Sequence, residues 1–270
     1  MKKRMLMTAV AAFGLLAVLG SLPVRQAGAQ TVFQAAGPTA AAIQGTVDAY
    51  RAALGNPDNG SNPPAPGGHR EINWDGGGAN FTTTAPVTPF DVFLNTRGAQ
   101  FTTPGTGLSQ APPAADPVLF PPGGLAGLFN NPTYGAIFST FSPERLFTPV
   151  GSRITDGFFF VPGTAGGTPA TVTGFGAVFT DVDKPNGGKQ GKHSTQIDYF
   201  GAEGELLFTG FVPASPGDGS LSFFGIVFND ARIARVRITT GDFRPGPDDD
   251  GKDIVMMDDF IYGEPQQLLP

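Results

Sequence analysis

The sequence predicts an all-β fold, a jelly-roll-like antiparallel β-sandwich with one short amino-terminal helix and long Gly/Pro-rich loops. Three observations predict it. Between Thr171 and Tyr262 side chains alternate with a period of two, and clusters of turn formers separate the runs. The chain holds 39 Gly and 26 Pro in 270 residues with only 15% charged, a mix suited to many short strands joined by turns. Helical periodicity is convincing only once after the amino-terminal apolar run.

The chain opens with MKKRMLM, an apolar run from Thr8 to Gly20, and then SLPVRQAGAQ. These are the three parts of a secretory signal peptide. Ala27-Gly28-Ala29 fits the cleavage site, so residues 1–29 are expected to be removed and the mature chain to begin near Gln30. The apolar run is shorter than the roughly 20 residues of a membrane span, and no later segment qualifies. A secreted or extracytoplasmic protein with no membrane span after cleavage is expected. There is no cysteine, which excludes disulfides and thiolate metal sites. Cleavage removes Lys2, Lys3, Arg4 and Arg25 from the 17 basic residues and none of the 23 acids, leaving about ten net negative charges. Such a surface repels nucleic acid and anionic lipid.

Residues 30–68 read as a helix plus a flexible linker. Between Pro38 and Gly55, Ile43, Val47, Tyr50 and Leu54 form one apolar stripe, with Thr39 as N-cap and Gly55 as C-cap. The stripe suits either the sandwich or a partner. NPDNGSNPPAPGG, residues 56–68, is a linker by composition. The sandwich domain is expected over 69–265, with its main strand block at 153–263 and a tail at 266–270. HREINWDGGGAN gives a short strand ending in a Gly-rich turn. Two short strands are expected from Phe81 to Phe101, DVFLN the clearer, then a long stretch without periodicity, then irregular Phe-rich edge structure. RITDGFFFVPGT is a strand leading into the main block.

In TVTGFGAVFTDVD, Phe175, Ala177 and Phe179 share a face opposite Gly174, Gly176 and Val178, as a sheet buried on one side requires. STQIDYF and GELLFTGFVPA form a hairpin, and SLSFFGIVF follows. In RIARVRITTG the alternation slips before Arg235, which suggests a bulge, and Arg235, Arg237 and Thr239 form the polar face. DIVMMDDFIYGEP closes the block, with alternation placing Asp258 and Asp259 on opposite faces.

Acids are the most specific chemical feature. Asp181 and Asp183 share a face at i and i+2, Asp248, Asp249, Asp250 and Asp253 lie on a loop, and Asp258 and Asp259 lie on a late strand. Calcium takes six to eight oxygen ligands from carboxylates, carbonyls and water. PDDDGKD has those residue types but not the alternate spacing or terminal Glu of an EF-hand, so a solvated acidic loop competes with an ion site. Trp74, the only tryptophan, stands beside Asp75, and both are candidate ligand-binding residues: an aromatic face can stack on a sugar. The competing reading is a core Trp closing one end of the sandwich. No Gly-x-Ser-x-Gly elbow or His-Glu-x-x-His helix is present, and His69 and His193 sit in polar, Gly-rich surroundings, so no catalytic residue is assigned.

FGAVFTDVD, a strand ending IDYF before a Gly, SLSFFGIVF, RIARVRI and the closing MDDFIYGEP together resemble secreted bacterial jelly-roll sandwiches of the galactose-binding or carbohydrate-binding-module kind. REINWDGG resembles the opening of uncharacterised exported bacterial proteins with the same ending. The resemblance implies a calcium-stabilised sandwich binding glycan at a face or at its loops, with Asp181, Asp183, Asp258 and Asp259 as metal ligands. The expected function is a non-catalytic extracellular binding or surface-matrix module. The alternatives are a structural or adhesive protein contacting surface proteins and a polysaccharide-acting hydrolase.

Overall fold

The computed structural model describes residues 30–75, 86–114, 123–185 and 195–268. The leader (1–29) and His193 lie outside them. In chain order the elements are β1 (Gln30–Gly37), α1 (Ala40–Leu54), β2 (His69–Ile72), α2 (Leu94–Arg97), β3 (Ala99–Thr102), β4 (Gly107–Ala111), α3 (Gly124–Phe129), α4 (Tyr134–Ile137), β5 (Leu146–Val150), β6 (Ile154–Phe159), β7 (Ala170–Thr171), β8 (Gly174–Thr180), β9 (Gln196–Phe200), β10 (Leu206–Phe211), β11 (Leu221–Phe228), β12 (Arg235–Thr239), β13 (Met256–Gly263) and β14 (Gln266–Gln267).

These strands build an all-β sandwich. One sheet runs β1-β11-β8-β13-β5-β4, with β2 also pairing β13; the other has five strands in the order β10-β9-β12-β6-β3. A small β14-β7 ladder lies apart from both. Every strand ladder is antiparallel. From β8 onward the chain alternates between the sheets, interrupted only by the β9-β10 hairpin, as a jelly-roll path does. Inward side chains of both sheets meet in one core that includes Phe101, Phe159, Phe175, Ile197, Tyr199, Phe224, Val236 and Phe260.

At β8, β11 and β13 the first sheet is buried on both sides, not one. Every residue of β8 is buried. Helix α1 packs Ile43, Val47, Tyr50 and Leu54 over Val178, Leu221, Phe223 and Ile261 on the outer face, so its stripe serves the sandwich. Glycine makes this close approach feasible: a Cβ at Gly176 would stand 2.9 Å from the Tyr50 ring and 2.9 Å from Phe223. Tyr50 also donates its hydroxyl to the Ile226 carbonyl at 3.3 Å. Gly176→Ala is therefore expected to cost about 1–3 kcal/mol by overpacking, measured by urea denaturation; a change within about 0.5 kcal/mol would contradict the tight seat. At the helix ends, Thr39 holds the N-cap position without a side-chain bond, and Gly55 donates its N–H to Ala52.

Several expectations need correction. Residues 30–68 do not stand apart: β1 forms the edge ladder of the first sheet, and residues 57–68 are held by a buried arginine. Arg70 donates to the Gly60, Asn62 and Pro63 carbonyls at 2.8, 3.0 and 3.3 Å, and pairs in two bonds of 2.7 Å with Glu264. Composition marks this stretch as polar and turn-rich but is blind to a distant clamp. DVFLN runs into α2 rather than a strand, and the stretch expected to lack periodicity holds β3 and β4. Strands of four or five residues are too short to reveal a period. The Phe-rich stretch supplies α3 and α4, which cover Leu146 and Met256 on the flank of the first sheet. The alternation slip before Arg235 is a change of partner: Ile233 bridges Val172, whereas β12 pairs β6 and β9 without a shift. The tail contributes β14.

Candidate functional site

The two sheets treat their outer faces differently. Helices cover the first; on the five-stranded sheet, outward side chains remain partly open, and the Arg237 side chain is 42% exposed. Register organises this face into transverse rows. The central row reads Thr209, Asp198, Arg237, Asp156, Thr102 across five strands. On one side of it lie Leu206, Phe200, Arg235, Phe158 and Gln100. On the other lie Phe211, Gln196, Thr239 and Ile154. Four inter-strand steps make each full row about 19 Å long.

The polar side chains on this face are fixed by one another. Arg237 grips Asp156 through two bonds, at 2.9 and 2.8 Å, and that bond to Asp156 raises the already high pKa of Arg237. Arg235 donates to Asp156 Oδ1 at 2.8 Å and stacks over the Phe200 ring at 3.8 Å from its centroid. Asp198 accepts from Thr209 at 2.6 Å and from the Gln196 amide at 3.0 Å. Two arginines and two aspartates cancel in charge. The result is a neutral, pre-set lattice of donors and acceptors flanked by phenylalanine rings, suited to a polyhydroxylated ligand.

No family model, curated protein or solved structure matches the chain. The reading of the site therefore rests on its own residues.

The sequence-derived ligand residues Trp74 and Asp75 lie elsewhere, Trp74 inside the core and Asp75 half-buried at its margin. Trp74 is 1% exposed, stacked at 3.8 Å and 4° on Phe147, with Phe260, Phe93 and Phe90 edge-on to it. Its indole N–H donates to the Asp258 carbonyl at 2.9 Å. No ring face is left for a sugar, and Trp74 is the core residue that closes one end of the sandwich. Asp75 accepts from the backbone of Glu144 and Arg145 at 2.5 and 2.8 Å and from Ser142 at 3.0 Å, fixing the loop before β5. Burial, partly offset by those bonds, raises its pKa.

The four expected metal ligands fall into two separate clusters. Asp258 and Asp259 sit in a β-bulge, because the β13-β8 register shifts between Met257 and Phe260. The bulge defeats strict alternation, and both carboxylates reach Ser142, whose hydroxyl lies 3.5 Å from Asp258 and 2.6 Å from Asp259. Asp258 also accepts the Phe141 N–H at 2.5 Å. Arg51, bonded twice to Glu71, stands 3.7 Å from Asp259 and ties α1 to β2 and β13. Burial drives the Asp258 pKa well up, with Asp259 adding to it; Asp259 also rises. For Glu71 the same burial is outweighed by bonds from His69 and Arg51, which bring it down to about 2. This cluster is a chain-satisfied lock for the loop around Ser142.

Asp181 and Asp183 lie past the end of β8, with Asp253 beside them: the Asp183 N–H donates to Asp253 Oδ1 at 3.1 Å. Asp248, Asp249 and Asp250 bring three carboxylate oxygens within 4.8 Å on the exposed loop, where Lys252 and Thr133 already bind Asp248 and Asp249. The residues of this candidate face that the sequence reading did not single out are Asp156, Gln196 and Asp198. Their signal was the outward set of three neighbouring strands, with Arg235 and Arg237 already on the polar face. Only the pairing order joins them.

Proposed function

We propose that this chain is a non-catalytic, exported β-sandwich module that binds glycan across the open face of the five-stranded sheet. The observation that carries the reading is the pinned lattice of Arg235, Arg237, Asp156, Asp198 and Gln196 beside Phe200. Side chains already held in place lose little freedom when a ligand arrives, and paired hydroxyl donors and acceptors match amide, carboxylate and guanidinium groups. The rings of Phe158, Phe200 and Phe211 offer apolar contact between them. Charge balance on the face favours neutral polysaccharide over an anionic polymer. Export is supported by the leader pattern. Among the described residues no helix is long and apolar enough to cross a membrane.

The test is affinity electrophoresis on a panel of neutral and acidic polysaccharides. Wild-type protein is expected to be retarded by at least one neutral polymer. Asp198→Ala and Arg235→Ala are expected to lose that retardation at least tenfold, about 1.4 kcal/mol, while melting near the wild-type temperature. Wild-type retardation in both variants would move the ligand off this face. Retardation by no polysaccharide would leave the face to a protein partner and overturn the glycan reading.

A further inference from the structure

Among the described residues, two buried carboxylate oxygens accept no hydrogen bond. Asp181 is 6% exposed and Asp253 1% exposed, and among the described residues neither Asp181 Oδ1 nor Asp253 Oδ2 meets a hydrogen-bond donor. They belong to the same end of the first sheet. Asp181 directly follows Thr180, which pairs with Met256, and Asp253 lies three residues before that partner. The Asp181 N–H is fixed to the Ser220 carbonyl at 3.0 Å, and Asp253 is fixed from both sides: its Oδ1 takes the Asp183 N–H, and its own N–H bonds Asp242 Oδ1 at 2.9 Å. The near cation, Lys184, is committed to Asp242. The backbone at Asp181 is left-handed, φ 67°, an uncommon conformation for a residue other than glycine.

A buried, unpaired carboxylate oxygen is costly, and here there are two. Calcium would satisfy them, since it accepts a few carboxylates together with main-chain carbonyls and water. Among the described residues these acids do not close to the three-carboxylate spacing of Asp248, Asp249 and Asp250, so carbonyls and water would supply the rest of the shell. We propose that Asp181 and Asp253 bind one calcium ion at the end of the first sheet, and that Asp258 and Asp259 take no part. The electrostatics agree. Burial, then the charges of Asp183, Asp218, Asp253 and Asp249, push Asp181 up to about 8. Burial, with Asp183 and Asp242, lifts Asp253 to about 6 against the Asp183 N–H and Lys184.

The experiment is thermal denaturation of the full mature chain in chelator and in calcium, across pH. In chelator, an acid whose folded pKa is raised stabilises fully below its unfolded value, 3.8 here, and loses that contribution as pH rises toward the folded one. These two groups therefore make chelated protein less stable between about pH 4 and 8, and calcium should reverse the trend. At about a hundredfold excess over Kd, calcium is expected to raise the melting temperature by roughly 5 °C or more at pH 7.5. The isosteric double variant Asp181→Asn/Asp253→Asn should melt no lower than wild type in chelator and show no calcium response. Asp248→Asn/Asp249→Asn/Asp250→Asn should respond as wild type does. No calcium response in wild type at about 10 mM, above the millimolar range of weak extracellular sites, would overturn the proposal. So would a full response in the Asp181/Asp253 double variant, or its loss in the loop variant.

Discussion

Arg70→Ala is expected to lower the unfolding free energy by about 3–5 kcal/mol, the range for breaking a buried ion pair from one side. Arg70 is completely buried, and Glu264, its partner, nearly so. Removing the guanidinium leaves the Glu264 carboxylate inside the protein with, among the described residues, the Asn59 amide at 2.8 Å and the Ala65 N–H at 3.2 Å as its remaining donors. It also orphans the Gly60, Asn62, Pro63 and Thr96 carbonyls, the last at 3.1 Å. The loss should be local as well as global: hydrogen exchange over residues 57–68 should speed up first. Glu264→Gln should cost less, because the amide oxygen can still accept one bond. Arg70→Met/Glu264→Leu should recover part of the loss, since both charges then leave together, but not all, because the carbonyls remain unbonded. Chemical denaturation checks each variant. A cost below about 1 kcal/mol for Arg70→Ala would mean the clamp is not what orders the segment.

Trp74→Ala is expected to cost a similar amount, about 3–5 kcal/mol, through the cavity left by a fully packed ring. The indole is the hub of the aromatic cluster, touching Phe147, Phe260, Phe93, Phe101 and Phe90, and its N–H satisfies a carbonyl inside the Asp258 bulge. Loss of the ring therefore loosens the core and the acid bulge together. Trp74→Phe should keep most of the packing and lose the hydrogen bond, at about 1–3 kcal/mol. It separates two readings of this residue. A core tryptophan predicts lowered stability with polysaccharide binding intact, whereas a sugar platform predicts unchanged stability with binding impaired. Denaturation and affinity electrophoresis on the same sample decide between them.

Much of the sandwich was legible because its longer strands obey a two-residue period. Phe175, Ala177 and Phe179 do face the core, and the hairpin of β9 and β10 follows from Ile197 and Tyr199 alternating with Gln196 and Asp198. The helix was legible from Ile43, Val47, Tyr50 and Leu54. What escaped was whatever depends on a distant partner. Gly174 and Gly176 of β8 were placed on the face opposite the aromatic one, and no local pattern shows that Tyr50 lies across Gly176 and Gly225 there. Asp258 and Asp259 read as opposite-facing until the bulge turns both toward Ser142. Asp181 and Asp183 were visible as acids, but Asp253 joins them only because β8 ends where β13 begins. The open face was half visible in Arg235 and Arg237, and the order of β9, β12 and β6 supplied Asp198 and Asp156.

The central claim is that the five-stranded sheet presents the working surface while α1 seals the outer face of the other. The most direct measurement is amide and side-chain NMR shift mapping during titration with the polysaccharide that retards the protein. The account predicts shifts at Gln196, Asp198, Thr209, Arg235, Arg237 and the Phe200 ring, with α1 and the Ser142 loop unchanged. Shifts confined to α1, to the loop around Ser142 or to residues 248–250, with the open face silent, would contradict it.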